Sequence, residues 1–261
     1  MSELDGPLLI ERDGKVVVIT MQSKPYNLLG HKLIEALGAA LQGIDLEKTG
    51  AVLLRSSLRH FSAGAELEMF EEAVEKGNND AVVDVIPFIR AWESFPRPIV
   101  AAVHGTCIGG GFELALMCDY IVAASSAKIG SVEATLGLHP LMGGVQRQVQ
   151  RAGALRAKEM SILARRYDPV TLERWNLVNL VVADDRLDAT ALAIAAEMAN
   201  GPALAHAATK ELALIAVDQG VAAADAAMAK VQEKIWRSAD LNTGLKAFRE
   251  FGPGAAVFEG R

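Results

Sequence analysis

Cysteine is scarce: the 261 residues contain two, Cys107 and Cys118, both within apolar stretches. That is too few for a disulfide framework or a thiolate metal cage, so both read as small core residues. The five histidines form no HxxxH or HExxH pair, and neither a GxSxG elbow nor a P-loop occurs. A zinc peptidase, an α/β-hydrolase or a nucleoside triphosphatase would therefore lack its parts. Positive charge is also short: 26 Lys and Arg against 32 Asp and Glu leave a net charge of −6, with no footprint for displacing counterions from nucleic acid. No apolar run reaches the ~18 to 20 residues of a membrane helix, and the early acids Glu3 and Asp5 interrupt any signal-peptide core. The expectation is a soluble chain in a reducing, cytoplasmic setting, without nucleic-acid or membrane partners.

With 51% apolar and 22% charged residues, the chain has the composition of a folded globular protein, and its length suits one large domain with a small appended element. Two β-prone runs between Leu8 and Met21 flank Asp13-Gly14, a pair suited to a hairpin turn. Leu33, Leu37, Leu41 and Ile44 follow at helical spacing, and residues 51–55, AVLLR, form a short buried-strand run. A helical stretch around Val82 to Trp92 stops at the prolines before a strand over Ile99 to Val103. A helix begins at Gly109 to Gly111, and residues 119–125 supply the next strand. Beyond about Asp184 the Ala-rich segments have helical periodicity only, which divides the chain into a core over 1–184 and a helical region over 185–261.

Two carboxylates stand out against this background. Glu113 is the sole acidic residue of Pro98 to Cys118, and three glycines precede it. A carboxylate withdrawn from water must be paired, hydrogen-bonded or protonated, and its proton affinity then rises toward the range useful for proton transfer. The glycines allow close backbone approach and expose amides at a helix start, where a developing negative charge is favoured. The same residues also fit a glycine-rich turn with a capping glutamate. Twenty positions on, Glu133 is again a lone carboxylate, and it equally fits a helix N-terminus near Ser131. The run Ser62-Ala63-Gly64-Ala65 can present an amide to a ligand carbonyl or serve as a tight connection. The spacing of Gly109 to Gly111 fails the GxGxxG fingerprint, which disfavours dinucleotide binding.

Taken in order, residues 61–67 (FSAGAEL), 98–124, 129–147 and 244–261 resemble the landmarks of the crotonase family, the enoyl-CoA hydratase/isomerase superfamily, over essentially the whole chain. The resemblance implies an α/β fold, a spiral of ββα units with a C-terminal helical trimerisation region that also covers the active site. It implies a homotrimer or a dimer of trimers acting on an acyl-CoA thioester, with no metal and no cofactor beyond the coenzyme A of the substrate. By resemblance the backbone amides of Ala63 and Gly110 polarise the thioester carbonyl. Glu113 then activates water, and Glu133 protonates the carbon α to the thioester. The turn Ala63, Gly64, Ala65, Glu66 and Leu67 holds the adenine, Lys24 lies near the phosphates, and Lys246 or Phe248 contributes from the tail.

Having both glutamates points to hydration of a trans-2-enoyl-CoA, with a same-fold isomerase or lyase and a non-catalytic acyl-CoA-binding or scaffolding protein as the competing readings. Departures from the family pattern at Glu66, Glu68, Val132, Leu141 and Met142 bear on the acyl substrate. His139 either tunes the second glutamate or is a hydrogen-bonded loop residue, and Met142, Phe70 and Trp92 line an acyl pocket or belong to the core.

Overall fold

The computed structural model describes residues 6–77 and 84–260. Among these residues the strands are β1 (Leu8–Asp13), β2 (Val16–Met21), β3 (Ala51–Ser56), β4 (Ile99–Val103), β5 (Thr106–Ile108), β6 (Tyr120–Ala124), β7 (Lys128–Gly130) and β8 (Leu180–Val182). The helices are α1 (His31–Gln42), α2 (Glu68–Lys76), α3 (Ile86–Glu93), α4 (Gly110–Leu116), α5 (Gly144–Leu163), α6 (Pro169–Arg174), α7 (Leu187–Ala199), α8 (Ala203–Gln219), α9 (Val221–Val231), α10 (Glu233–Trp236) and α11 (Ala239–Phe251). Most of the expected elements are present. The hairpin loop is Gly14-Lys15, one residue later than Asp13-Gly14, with Asp13 paired to Val16 and the positive φ of +55° at Gly14. The helix expected from Val82 is described over Ile86–Glu93, and Val82 itself lies outside the described residues.

Six strands form one sheet in the order β1-β2-β3-β4-β6-β8, antiparallel only at β1-β2 and parallel elsewhere. Parallel strands need covering on both faces, and the residues supply it by alternation. Val17, Ile19, Val52, Leu54, Ala101, Val103 and Ile121 face one core with α1, α3 and α4. Their neighbours Val16, Val18, Leu53, Val100, Ala102 and Val122 face a second core completed by Leu187, Ala191, Ala195 and Ala199 of α7. These four helix positions are four residues apart, so one stripe of mostly small side chains lets α7 lie close to the sheet. Helices α8 to α11 follow outside this layer. They leave Val221, Trp236, Leu245, Phe248 and Phe251 exposed on the single chain.

The short parallel pair β5-β7 stands apart from the large sheet, and bridges Ser62↔Cys107 and Leu29↔Ala65 bring the loops after β2 and β3 beside it. This is where three separate chain segments converge. Cys107 and Cys118 are buried and unpaired, and burial pushes both thiols up, Cys118 to about 12, so neither is a nucleophile near neutral pH. Among the described residues no group of three or more His, Cys, Asp and Glu could hold a metal ion. No described helix is long and apolar enough to cross a membrane.

The close seating of α7 depends on Gly50, where a Cβ would fall 2.1 Å from the Ala199 carbonyl oxygen and 2.6 Å from its Cα. Gly50→Ala should therefore destabilise the fold by about 1–3 kcal/mol, the usual cost of overpacking. Urea unfolding measures it, and an unchanged midpoint would mean that α7 does not pack as described.

Candidate active site

Strand β5 runs into Gly109, whose φ of +53° turns the chain sharply into α4. At Gly111 a Cβ would meet the Ser62 Cβ at 2.6 Å, so this glycine lets α4 sit directly on the 62–65 turn. Glu113 then points inward and is 2% exposed. Its Oε1 accepts hydrogen bonds from the Met142 and Gly144 amides, each at 2.8 Å. A side chain at Gly144 would place its Cβ 2.8 Å from Glu113 Cγ, so the approach requires glycine there. Burial, and after it the Glu133 charge, raise the Glu113 carboxyl to about 7, while the two amides and the Arg147 guanidinium hold it from rising further.

Glu133 opens a 3-10 turn, Glu133–Leu136, just after β7. Both of its carboxyl oxygens are buried and neither has a hydrogen-bond partner among the described residues. Its proton affinity is raised by burial; the nearby amides of Glu133 and Val132, and His139, pull it back without a hydrogen bond to the carboxyl. Glu133 Oε1 is 3.5 Å from the position a Cβ on Gly109 would take, which sets it against the turn that carries Glu113. An unpaired buried carboxyl calls for a specific explanation, and a reacting ligand is one.

Both glutamates line one cavity of about 120 Å³, together with backbone of Ala63, Gly64, Ala65, Gly109 and Gly110. Leu29, Ile34, Met69, Phe70, Leu138 and Met142 form much of its apolar wall. The expected role of the Ala63 amide is corrected here, because its N–H donates to the Tyr26 carbonyl at 3.0 Å. Glu66 N–H is likewise taken by Leu29 O at 3.1 Å, and Gly64 N–H reaches Ser62 Oγ at 3.3 Å. Among the described residues Ala65 N–H has no such partner, and Ala65 N is 3.8 Å from the position of a Cβ on Gly110. Gly110 begins α4, so its own amide is without an intrahelical acceptor. Two amides free to bind a carbonyl oxygen thus border the cavity that holds both carboxyls.

The other expected residues divide. Leu67, Phe70, Leu141 and Met142 line the cavity, whereas Trp92 is core, stacked on Phe88 at 5.3 Å. The Glu66 carboxylate lies against Gly30 at the start of α1 rather than in the cavity. Lys24 is exposed on the turn before Tyr26, and Lys246 and Phe248 are exposed on α11, away from the cavity lining of the same chain. His139 bonds through Nδ1 to the Pro140 carbonyl at 2.8 Å. A carbonyl only accepts, so Nδ1 carries the proton. His139 thus fits both readings open to it, a hydrogen-bonded loop residue and a weak electrostatic influence on Glu133.

The sequence did not single out Leu29, Ile34 or Leu138, since ordinary apolar spacing does not separate a cavity wall from a core. A larger groove of about 560 Å³ lies between α5 and α8, but its acids Glu93 and Asp119 are neutralised by Arg147 and Lys210. The smaller cavity alone combines an unpaired carboxyl with free amides among the described residues, and it is the candidate site.

Residues 11–260 match the family described as Enoyl-CoA hydratase/isomerase. A Rhizobium meliloti protein named "Probable enoyl-CoA hydratase" is 37% identical over 198 residues, covering 74% of this chain and 75% of that one. A carnitinyl-CoA dehydratase of Salmonella typhi is 32% identical over 262 aligned positions, covering 97% and 98%. A crystal structure of an enoyl-CoA hydratase from Bacillus anthracis superposes with a TM-score of 0.87 at 29% identity, covering 98% of this chain and 100% of that one.

The raised Glu113 carboxyl links stability to pH. Folding raises its proton affinity from the ordinary carboxyl value of 4.5 to about 7, so the folded state holds the extra proton between these values and loses that advantage as pH rises through them. Glu113→Gln removes the loss. Between pH 5 and pH 8 the parent should lose up to ~3 kcal/mol more unfolding free energy than the variant. Parallel urea-unfolding curves for the two proteins at both pH values would contradict the assignment.

Proposed function

The chain belongs to the enoyl-CoA hydratase/isomerase family, and on that premise we propose that it catalyses the reversible addition of water to a trans-2-enoyl-CoA, giving a 3-hydroxyacyl-CoA. The observation that carries this reading is the presence of two carboxyls of raised proton affinity on one cavity, beside the free amides of Ala65 and Gly110. With the thioester oxygen received by those amides, conjugation makes C3 electrophilic and negative charge collects on the oxygen as an enolate. Ionised Glu113 takes a proton from water as the water oxygen bonds to C3. Protonated Glu133 then delivers its proton to C2 as the enolate collapses. Mutual repulsion and burial keep the pair in opposite protonation states, and because they titrate together the division of labour belongs to the pair.

We infer that Lys24, exposed two residues before the Tyr26 whose carbonyl accepts from the Ala63 N–H, reaches the nucleotide phosphates, and that the carbonyls of Ala63 and Ala65, unused by the described residues, accept from an adenine amino group. The exposed apolar residues of α9 to α11 support a homotrimer or a dimer of trimers, which light scattering at micromolar concentration reads directly. At about 120 Å³ the cavity is smaller than the ~150 Å³ that accepts a benzene ring, which favours short acyl groups.

Glu113→Gln and Glu133→Gln should each lower hydration by at least ~10²-fold while retaining acetoacetyl-CoA binding by calorimetry. The double variant should lose less than the product of the single effects, since the residues act as one unit. Normal hydration by Glu133→Gln beside an inactive Glu113→Gln would replace this mechanism with a one-carboxylate reaction.

A further inference from the structure

Glu113 owes its position to a loop that it does not belong to, and that loop is held from behind. The Gly143 carbonyl, at the N-cap of α5, accepts two hydrogen bonds, from the Arg147 main-chain N–H at 3.2 Å and from Arg147 Nη1 at 3.0 Å. The remaining fork of the guanidinium grips Glu93, with Nε to Oε1 at 2.7 Å and Nη2 to Oε2 at 2.6 Å. Glu93 is the last residue of α3, and the two side chains are only 12% (Arg147) and 18% (Glu93) exposed. Gly143 has φ +81°, and a Cβ there would sit 2.1 Å from Arg147 Nη1, so the guanidinium packs directly against the main chain.

A peptide unit is planar and trans, so the carbonyl of one residue and the N–H of the next point in opposite directions. Fixing the Gly143 oxygen on the Arg147 side therefore aims the Gly144 N–H to the other side, where Glu113 Oε1 accepts it at 2.8 Å. We propose that Arg147, braced by Glu93, is a positioning residue for Glu113: its guanidinium, together with the first main-chain bond of α5, fixes the peptide plane whose amide holds the carboxylate in the cavity. Resting on the hydratase reading, this adds two residues from α3 and α5 that touch neither substrate nor cavity. The charged groups that act on Glu113 are Glu133, from the turn after β7, and Arg147, from α5, with Glu93 of α3 behind Arg147; His139 acts on Glu133.

The test compares Arg147→Met, Arg147→Lys, Glu93→Gln and the apolar pair Arg147→Met/Glu93→Leu. Replacing both members of a largely buried ion pair with apolar residues is commonly neutral for stability, so the pair variant keeps the fold within reach. The pair variant and Arg147→Met should lower kcat by about 10- to 100-fold, the cost of a misplaced catalytic group. KM should stay within about twofold, because substrate contacts remain. Arg147→Lys should lower kcat but keep the acidic limb of kcat/KM near its parent position.

Removing the positive charge in Arg147→Met raises the proton affinity of Glu113 and moves that limb to higher pH. Removing the negative charge in Glu93→Gln moves it to lower pH. A merely structural role would not produce opposite shifts. Carboxyl NMR of Glu113 reads the same titrations without turnover. Should the parent fail to hydrate any enoyl-CoA, that failure overturns the hydratase reading, while opposite NMR shifts would still support the positioning role. A native kcat in the folded pair variant, or an unmoved Glu113 titration in both single charge variants, would overturn it.

Discussion

A carboxyl group in an apolar interior costs several kcal/mol unless polar partners meet it, and Glu113 is met by two main-chain amides on one oxygen. The second oxygen accepts no hydrogen bond from the described residues and remains for chemistry. Much of the surrounding architecture serves this arrangement. Gly144 must lack a side chain for its amide to arrive, Gly111 must lack one for α4 to rest on Ser62, and Gly109 must adopt a positive φ to bring β5 into α4. Substitution at any of the three would move the carboxylate or the cavity wall. The glycines therefore fix where the Glu113 carboxyl sits, although none of them titrates.

The partial satisfaction of Glu113 and the lack of a partner on Glu133 create an asymmetry. The first is held in place, its proton affinity raised by burial and moderated by amides and a nearby guanidinium. The second has both carboxyl oxygens buried without a hydrogen bond among the described residues, so its geometry is set by the turn that carries it. Two acids so arranged do not ionise together readily, because each charge is poorly solvated and repels the other. An acid and a base within one cavity are what addition of H and OH across a double bond requires.

That Glu113 and Glu133 are unusual was legible in the sequence, because each is a single carboxylate in a run of small and apolar residues; that they line one cavity is what the fold adds. The strands were legible for a related reason, since continuous apolar runs such as those at 16–21 and 99–103 suit a sheet covered on both faces. Which amide of the 62–65 turn is free was not legible. Four small residues in a row all expose their backbone, and the choice between Ala63 and Ala65 is made by Tyr26 and Leu29, whose carbonyls engage the neighbouring amides from more than thirty residues away in the chain. The Arg147–Glu93 brace was invisible for the same reason, as its members are 54 residues apart and each alone reads as a surface charge. Trp92 followed the commoner fate of an aromatic at helical spacing and entered the core.

The central claim is that one cavity delivers both halves of a water molecule to adjacent carbons. Isotope tracing of a four-carbon trans-2-enoyl-CoA tests this most directly, with the protein in water enriched in oxygen-18 in one reaction and in deuterium oxide in another. The expected product is a 3-hydroxyacyl-CoA with one solvent oxygen at C3 and one deuteron at C2, the thioester intact. Solvent deuterium in a double-bond-shifted product without solvent oxygen, or solvent oxygen in a released carboxylate, would contradict it.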